Sequence, residues 1–281
     1  MATIGCDVAS IDQESPNWQE ARNQGGMRFA SLRAALGLTQ DPLYATRRAQ
    51  LSDLGIPSFP YLALTPNLST PEAQVDAALA HVGPLDRKCF PIALDVEGDR
   101  QGLSAAQWLD WVTRAHDRVR SSIGASPILY ASRIYWEDPA GMGDLPAPTL
   151  VDSLGWWKYY PYPVNAPAVY VQATVDALAA PPAPAPWGDQ WGIHQYQGDA
   201  EGFPGFSSFS DLNRIHVVNQ GASGDTVRWI QRRLPGASVD GAFGPLTAKA
   251  VEAFQSSQGL TADGVVGLDT MQRLAWVPPA S

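Results

Sequence analysis

The sequence predicts an α/β protein: an irregular, TIM-like β/α barrel followed by a small three-helix bundle. Three observations lead there. Short apolar runs alternate with helix-spaced stretches through the first part of the chain, the pattern of parallel βαβ units. Several of those runs end in carboxylates, where the reactive ends of barrel strands lie. The last part carries an internal repeat, Asp240-Gly241-x-x-Gly244-x-x-Thr247 and Asp263-Gly264-x-x-Gly267-x-x-Thr270, offset by 23 residues.

Taken in order, residues 2–6 form a short apolar run that stops at Asp7. Trp18–Gly26 reads as a helix and Met27–Ala35 as a second strand. Pro42–Gly55 has helical spacing through Leu43, Ala45, Ala49, Leu51 and Leu54, with Gly55 as C-cap. Ile56–Leu64 is a third strand. Thr70 caps a helix to about Val82, with Pro71 at its first position. Phe90–Glu97 is the next strand, and Ser104 caps a helix to about Ser121 with Trp108, Trp111, Val112, Ala115 and Val119 on one stripe. Pro127–Ala131, Leu154–Tyr160 and Trp191–Tyr196 complete the strands. Ala179–Pro186 reads as a stiff polyproline-like loop, and the last third of this unit as shorter, irregular strands. No Gly-x-Gly-x-x-Gly follows a strand, so a dinucleotide site has no support.

The central stretch is Phe-Pro-Ile-Ala-Leu-Asp-Val-Glu, residues 90–97. Along a strand Asp95 and Glu97 would share a face, with Cα atoms roughly 6.5–7 Å apart. Two such acids resist joint ionisation, so one should titrate high and serve as a proton donor near neutral pH.

Bulk composition narrows the classes. Net charge is −9 and the pI is near 4.8, which argues against nucleic acid and anionic membrane surfaces as partners. No apolar run is long enough to span a membrane. Cys6 and Cys89 are too few for a disulfide scaffold and read as buried free thiols. The four histidines (His81, His116, His194, His216) form no metal-ligand pair, so no metal and no cofactor is expected; His194, beside Gln195, could face a cleft. The N-terminus shows no secretory signal.

From Gln220 onward the charges balance, five basic against five acidic. Gly224–Leu234 is amphipathic, with Val227, Ile230 and Leu234 inward, and Pro245 opens a helix with Leu246, Ala250, Val251 and Phe254 on one stripe. Each repeat is a tight Asp-Gly turn leading into a helix, so its Gly and Asp residues read as structural. The predicted domains are 1–219 and 220–281, joined so closely that they should pack.

At residue level the first domain resembles the family 25 glycoside hydrolases, the peptidoglycan muramidases often found in phage endolysins. The resemblance rests on Gly5-Cys6-Asp7-Val8-Ala9-Ser10, Arg28–Ala34, Asp41–Ile56, Tyr61, Leu94-Asp95-Val96-Glu97, Ile128-Leu129-Tyr130, Trp156-x-x-x-Tyr160, Gln195-Tyr196 and Asp211-Leu212-Asn213. It departs at Leu62, at Lys158, where a small residue is usual, and at Phe59-Pro60. The second domain resembles the type 1 peptidoglycan-binding domain through residues 224–234, 239–247, 250–255 and 263–267.

The resemblance implies hydrolysis of the β-1,4 bond between N-acetylmuramic acid and N-acetylglucosamine. Glu97 would be the general acid, its pKa raised by neighbouring carboxylates. Asp95 would stabilise positive charge or position the 2-acetamido group, and Asp7 and Asp211 would complete an acidic floor. Tyr61, Tyr130, Trp156, Tyr160 and Gln195 would bind substrate. The implied partner is bacterial peptidoglycan, met by a monomer made in a host cytoplasm and released to the wall. A non-catalytic wall-binding or virion structural protein and a glucosaminidase are the alternatives.

Overall fold

A computed structural model describes all residues except 11–15, 67, 68, 139–141, 144–146, 148, 180–182, 280 and 281. The polyproline-like stretch therefore lies partly outside the described residues. The chain runs β1 (Thr3–Val8), α1 (Trp18–Asn23), β2 (Phe29–Leu36), β3 (Thr39–Gln40), α2 (Tyr44–Asp53), β4 (Ser58–Ala63), α3 (Pro71–Val82), β5 (Ala93–Asp95), α4 (Ala105–Ile123), β6 (Ile128–Ser132), α5 (Arg133–Glu137), β7 (Gly155–Lys158), α6 (Gln172–Ala177), β8 (Ile193–Ala200), β9 (Ser210–Ile215), α7 (Asp225–Gln231), α8 (Pro245–Ser257) and α9 (Leu268–Leu274).

Eight strands close a barrel in the order β1-β9-β8-β7-β6-β5-β4-β2, with β2 pairing back to β1; β3 is an antiparallel addition to β2. All barrel pairings are parallel except those of β9, which runs against β1 and β8. The mouth is thus formed by the C-terminal ends of seven strands and the start of β9.

Local chemistry explains the helices that matter most. Thr70 Oγ1 accepts the Ala73 N–H at the start of α3, and Pro71 holds the first turn. Ser104 and Gln107 form a reciprocal capping box on α4, and Gly124, at φ 73°, ends it in a left-handed turn. The α4 stripe expected from sequence is buried, with His116 added.

Two expectations need correction. The strand expected over Phe90–Glu97 pairs only over Ala93–Asp95. Phe90 and Ile92 are buried, but Pro91 has no N–H to give a ladder. Glu97 lies past the strand in a turn where its own N–H donates to Asp95 Oδ1 at 3.1 Å, and the two acids still line one cavity. The last third was expected to be shorter strands, yet β8 has eight residues and β9 six. Two register shifts along their pairing, around Gln197, scramble the alternation that marks a strand in sequence.

In the C-terminal bundle a buried glutamine pins each repeat. Gln231 Nε2 donates to Asp240 Oδ1, Ala242 O and Thr247 Oγ1, while its Oε1 takes the Gly241 N–H. Gln255 repeats the pattern with Asp263, Val265, Thr270 and Gly264. The repeat Asp and Gly residues are thereby structural.

The bundle seats on the closed end of the barrel. Trp229 Nε1 and Arg233 both donate to Asp152 O, before β7, and Arg233 stacks on Trp229 at 3.9 Å. Asp189 and Asp225 exchange backbone-to-carboxylate bonds, and Trp276 Nε1 donates to Cys89 O at 2.7 Å. One apolar cluster runs from Phe29, Phe59, Phe90 and Ile193 at the strand starts into Val227, Ile230, Val251 and Met271 of the bundle. The two units share a core.

Candidate active site

Asp7, Asp95, Glu97 and Asp211 meet at the mouth. Asp7 and Asp211 are register partners across β1 and β9, and antiparallel partners share a face. Asp7 Oδ1 accepts from Gln195 Nε2 at 2.8 Å and Asn213 Nδ2 at 2.6 Å. Burial pushes the Asp7 carboxyl well above the usual range, and Asp211 pushes it further, against those two hydrogen bonds. Asp211 Oδ1 accepts the Asp199 N–H at 2.8 Å.

Asp95 is level with Tyr130 and Trp156 across β5, β6 and β7. Burial, then the charge of Glu97, raises it to about 7. Glu97 is placed differently. Its Oε1 accepts the Ser132 N–H at 2.7 Å, and its Oε2 is 2.5 Å from Lys158 Nζ. Period-2 alternation along β7 brings Lys158 to the same face as Trp156, and so against Glu97. A cavity of about 360 Å³ adjoins both acids, lined also by Leu36, Ala63, Leu64 and Thr65.

The expected aromatic wall divides. Tyr61 and Tyr130 are partly exposed at the mouth. Tyr160 is partly exposed too, its hydroxyl seated against Gly198, where an added Cβ would come within 2.4 Å of it. Trp156 and Gln195 are 2% and 0% exposed and offer no face to a sugar. They act from beneath instead. Gln195 Oε1 accepts the hydroxyls of Tyr130 (2.8 Å) and Tyr160 (2.6 Å) while its amide holds Asp7. Trp156 packs edge-on against Tyr61 and Tyr130, and its Nε1 donates to Asn213 Oδ1 at 2.7 Å.

His194 points away from the cleft that its neighbour Gln195 faces. Its Nδ1 accepts from Arg214 Nε at 3.0 Å, so Nε2 carries the proton and donates to Tyr159 O at 2.8 Å. Burial lowers its pKa to about 3. Cys6 and Cys89 are buried free thiols.

The sequence gives no role to Asn213, Ser132 or Arg33, and marks Lys158 only as a departure at a substrate subsite. Alternation from Asp211 and from Trp156 could have placed Asn213 and Lys158. Arg33, held to Asp41 at 3.2 Å, opposes the upward shift of Asp95 from β2.

Comparison with known proteins follows the two-part architecture. A peptidoglycan binding domain model matches residues 223–274. The zinc D-Ala-D-Ala carboxypeptidase of Streptomyces albus G is 40% identical over 65 residues, 21% of this chain and 26% of that protein. An uncharacterized protein of Kitasatospora aureofaciens is 42% identical over 64 residues, 21% of this chain and 54% of that protein. The chain therefore spans about a quarter and about half of these curated relatives. In fold it is similar to a lysozyme from Streptomyces coelicolor (TM-score 0.63, 22% identity, 76% of this chain and 92% of that one). It is also similar to a family GH25 lysozyme from Aspergillus fumigatus (TM-score 0.62, 20% identity, 77% and 94%). The glycosyl hydrolases family 25 model matches residues 6–205, and with most of the barrel inside that match the chain belongs to this family.

Proposed function

We propose that the chain is a peptidoglycan hydrolase that cleaves the β-1,4 bond between N-acetylmuramic acid and N-acetylglucosamine. One observation carries the reading: unlike carboxylates are gathered at the barrel mouth, beside a cavity, with Tyr61 and Tyr130 partly exposed next to them. Glu97 gives a proton to the leaving oxygen, and Asp95, raised toward its neutral form, positions the substrate's 2-acetamido group, with Asp7 and Asp211 behind it. Tyr61, Tyr130 and Tyr160 form the sugar-facing wall; Trp156, Gln195 and Asn213 fix their positions. In the free protein both Glu97 oxygens accept from nitrogen donors, so proton donation follows withdrawal of Lys158. Residues 220–281 hold the polymer while residues 1–219 cut it. The protein works as a monomer, and we place it as an endolysin, lysing a bacterial host from within.

The test is digestion of purified walls by wild type and a Glu97→Gln variant, with mass spectrometry of the released muropeptides. Muramic acid at new reducing ends, absent with the variant, supports the reading. N-acetylglucosamine at those ends assigns a glucosaminidase, and no cleavage by wild type leaves only wall binding.

A further inference from the structure

We infer that Lys158 makes cleavage depend on an anionic stem peptide beside the scissile bond. The inference rests on the hydrolase reading and adds a specificity rule to it.

A carboxyl group that donates a proton needs one oxygen free of competing donors. Glu97 has none: Ser132 N–H holds Oε1 at 2.7 Å and Lys158 Nζ holds Oε2 at 2.5 Å. The Ser132 bond comes from backbone at the end of β6 and is fixed. The Lys158 bond comes from a flexible four-carbon arm. The Lys158 and Glu97 side chains are 28% and 18% exposed, so the pair sits at the mouth within reach of a ligand.

The other charged and titratable groups around Glu97 are already engaged: Asp7 accepts from Gln195 and Asn213, Asp211 from the Asp199 N–H, and Asp99, on the same cavity, from the Gln101 N–H. Asp95 on β5 is raised toward its neutral form, and Tyr130 on β6 and Tyr135 on α5 are held as neutral phenols by burial. Tyr135 is further engaged, donating to Gly98 O at 2.7 Å. Arg33 on β2 is a cation already tied to Asp41. A new partner for the ammonium must therefore arrive with the substrate. The glycan backbone of peptidoglycan is neutral; its anions are the carboxylates of the stem peptides carried on muramic acid, next to the bond cut. A stem carboxylate that draws Lys158 away frees Glu97 Oε2 to take up a proton from solvent, which Glu97 then gives to the leaving oxygen. A stem without a carboxylate leaves the ion pair closed.

Initial rates of new reducing-end formation on intact walls, and on the same walls with their stem-peptide carboxylates capped as methylamides, test this. Wild type should cut the capped walls about tenfold more slowly, the fold-change matching one charge-assisted hydrogen bond. Lys158→Met should cut both substrates at similar rates, with its rate on capped walls above that of wild type. Lys158→Arg should keep the preference. Equal wild-type rates on both substrates, a preference that survives in Lys158→Met, or loss of Lys158→Met activity on both would overturn the inference. Wild type inactive on both would instead sink the hydrolase reading beneath it.

Discussion

Replacing Asn213 by alanine tests whether the acid layer is held from below. Asn213 is fully buried. Its amide nitrogen gives Asp7 a 2.6 Å bond, and its oxygen takes the Trp156 indole N–H at 2.7 Å. The variant removes a bond to an acid, about 1.5–3 kcal/mol, and strands a buried indole donor, about 1–3 kcal/mol. The sum, about 2.5–6 kcal/mol, should lower the melting temperature by at least ~5 °C in a chain of this size. The same bond opposes the upward shift of Asp7, so its loss drives that carboxyl higher still. Because the proposed reaction needs Asp7 ionised, the acid limb of the pH–activity profile should move to higher pH. Differential scanning calorimetry and rates on purified walls between pH 4 and 8 measure both effects. A melting shift under ~2 °C with an unmoved acid limb would refute the argument that Asn213 ties the floor to the charge above it.

Further expectations concern other parts of the molecule. Asp95 takes up a proton on folding, because its carboxyl moves from 3.8 to about 7. Its contribution is therefore greatest below pH 3.8 and is lost as pH rises toward 7. Asp95→Asn should flatten the pH dependence of stability across that window, as read from melting temperatures at pH 4 and 7.5; an unchanged slope would count against the shift. Trp229→Ala removes a buried ring that joins bundle and barrel and should cost about 3–5 kcal/mol, destabilising both units in one melting transition rather than the bundle alone. Gln255→Ala strands the turn groups it satisfies and should reduce retention on purified walls while sparing initial rates on soluble glycan, measured by sedimentation and reducing-end assay.

The fold was legible where local chemistry and tertiary structure agree. Thr70-Pro71 and Ser104 mark helix starts by capping, and the α4 stripe is the face that the barrel buries. The end of β5 was misread because Phe90–Leu94 is apolar enough for a long strand, while Pro91 and an Asx turn at Asp95 cut it short. The β8–β9 pair was underestimated because its register shifts break the period-2 signal. The acids themselves stood out in the sequence. The pairing of Glu97 with Lys158 did not, because the two are 61 residues apart and meet only where β6 sets β7 near the end of β5. Trp156 and Gln195 were taken for wall residues since nothing in their spacing tells a lining side chain from the one supporting it.

The bundle seats on the closed end of the barrel, and the acids face the other way. A wall-binding unit fixed to the back of the barrel holds the acids at a set distance from whatever it grips. With a shared core in place of a leash, the molecule trims what lies within one body length, then must let go before it can trim elsewhere.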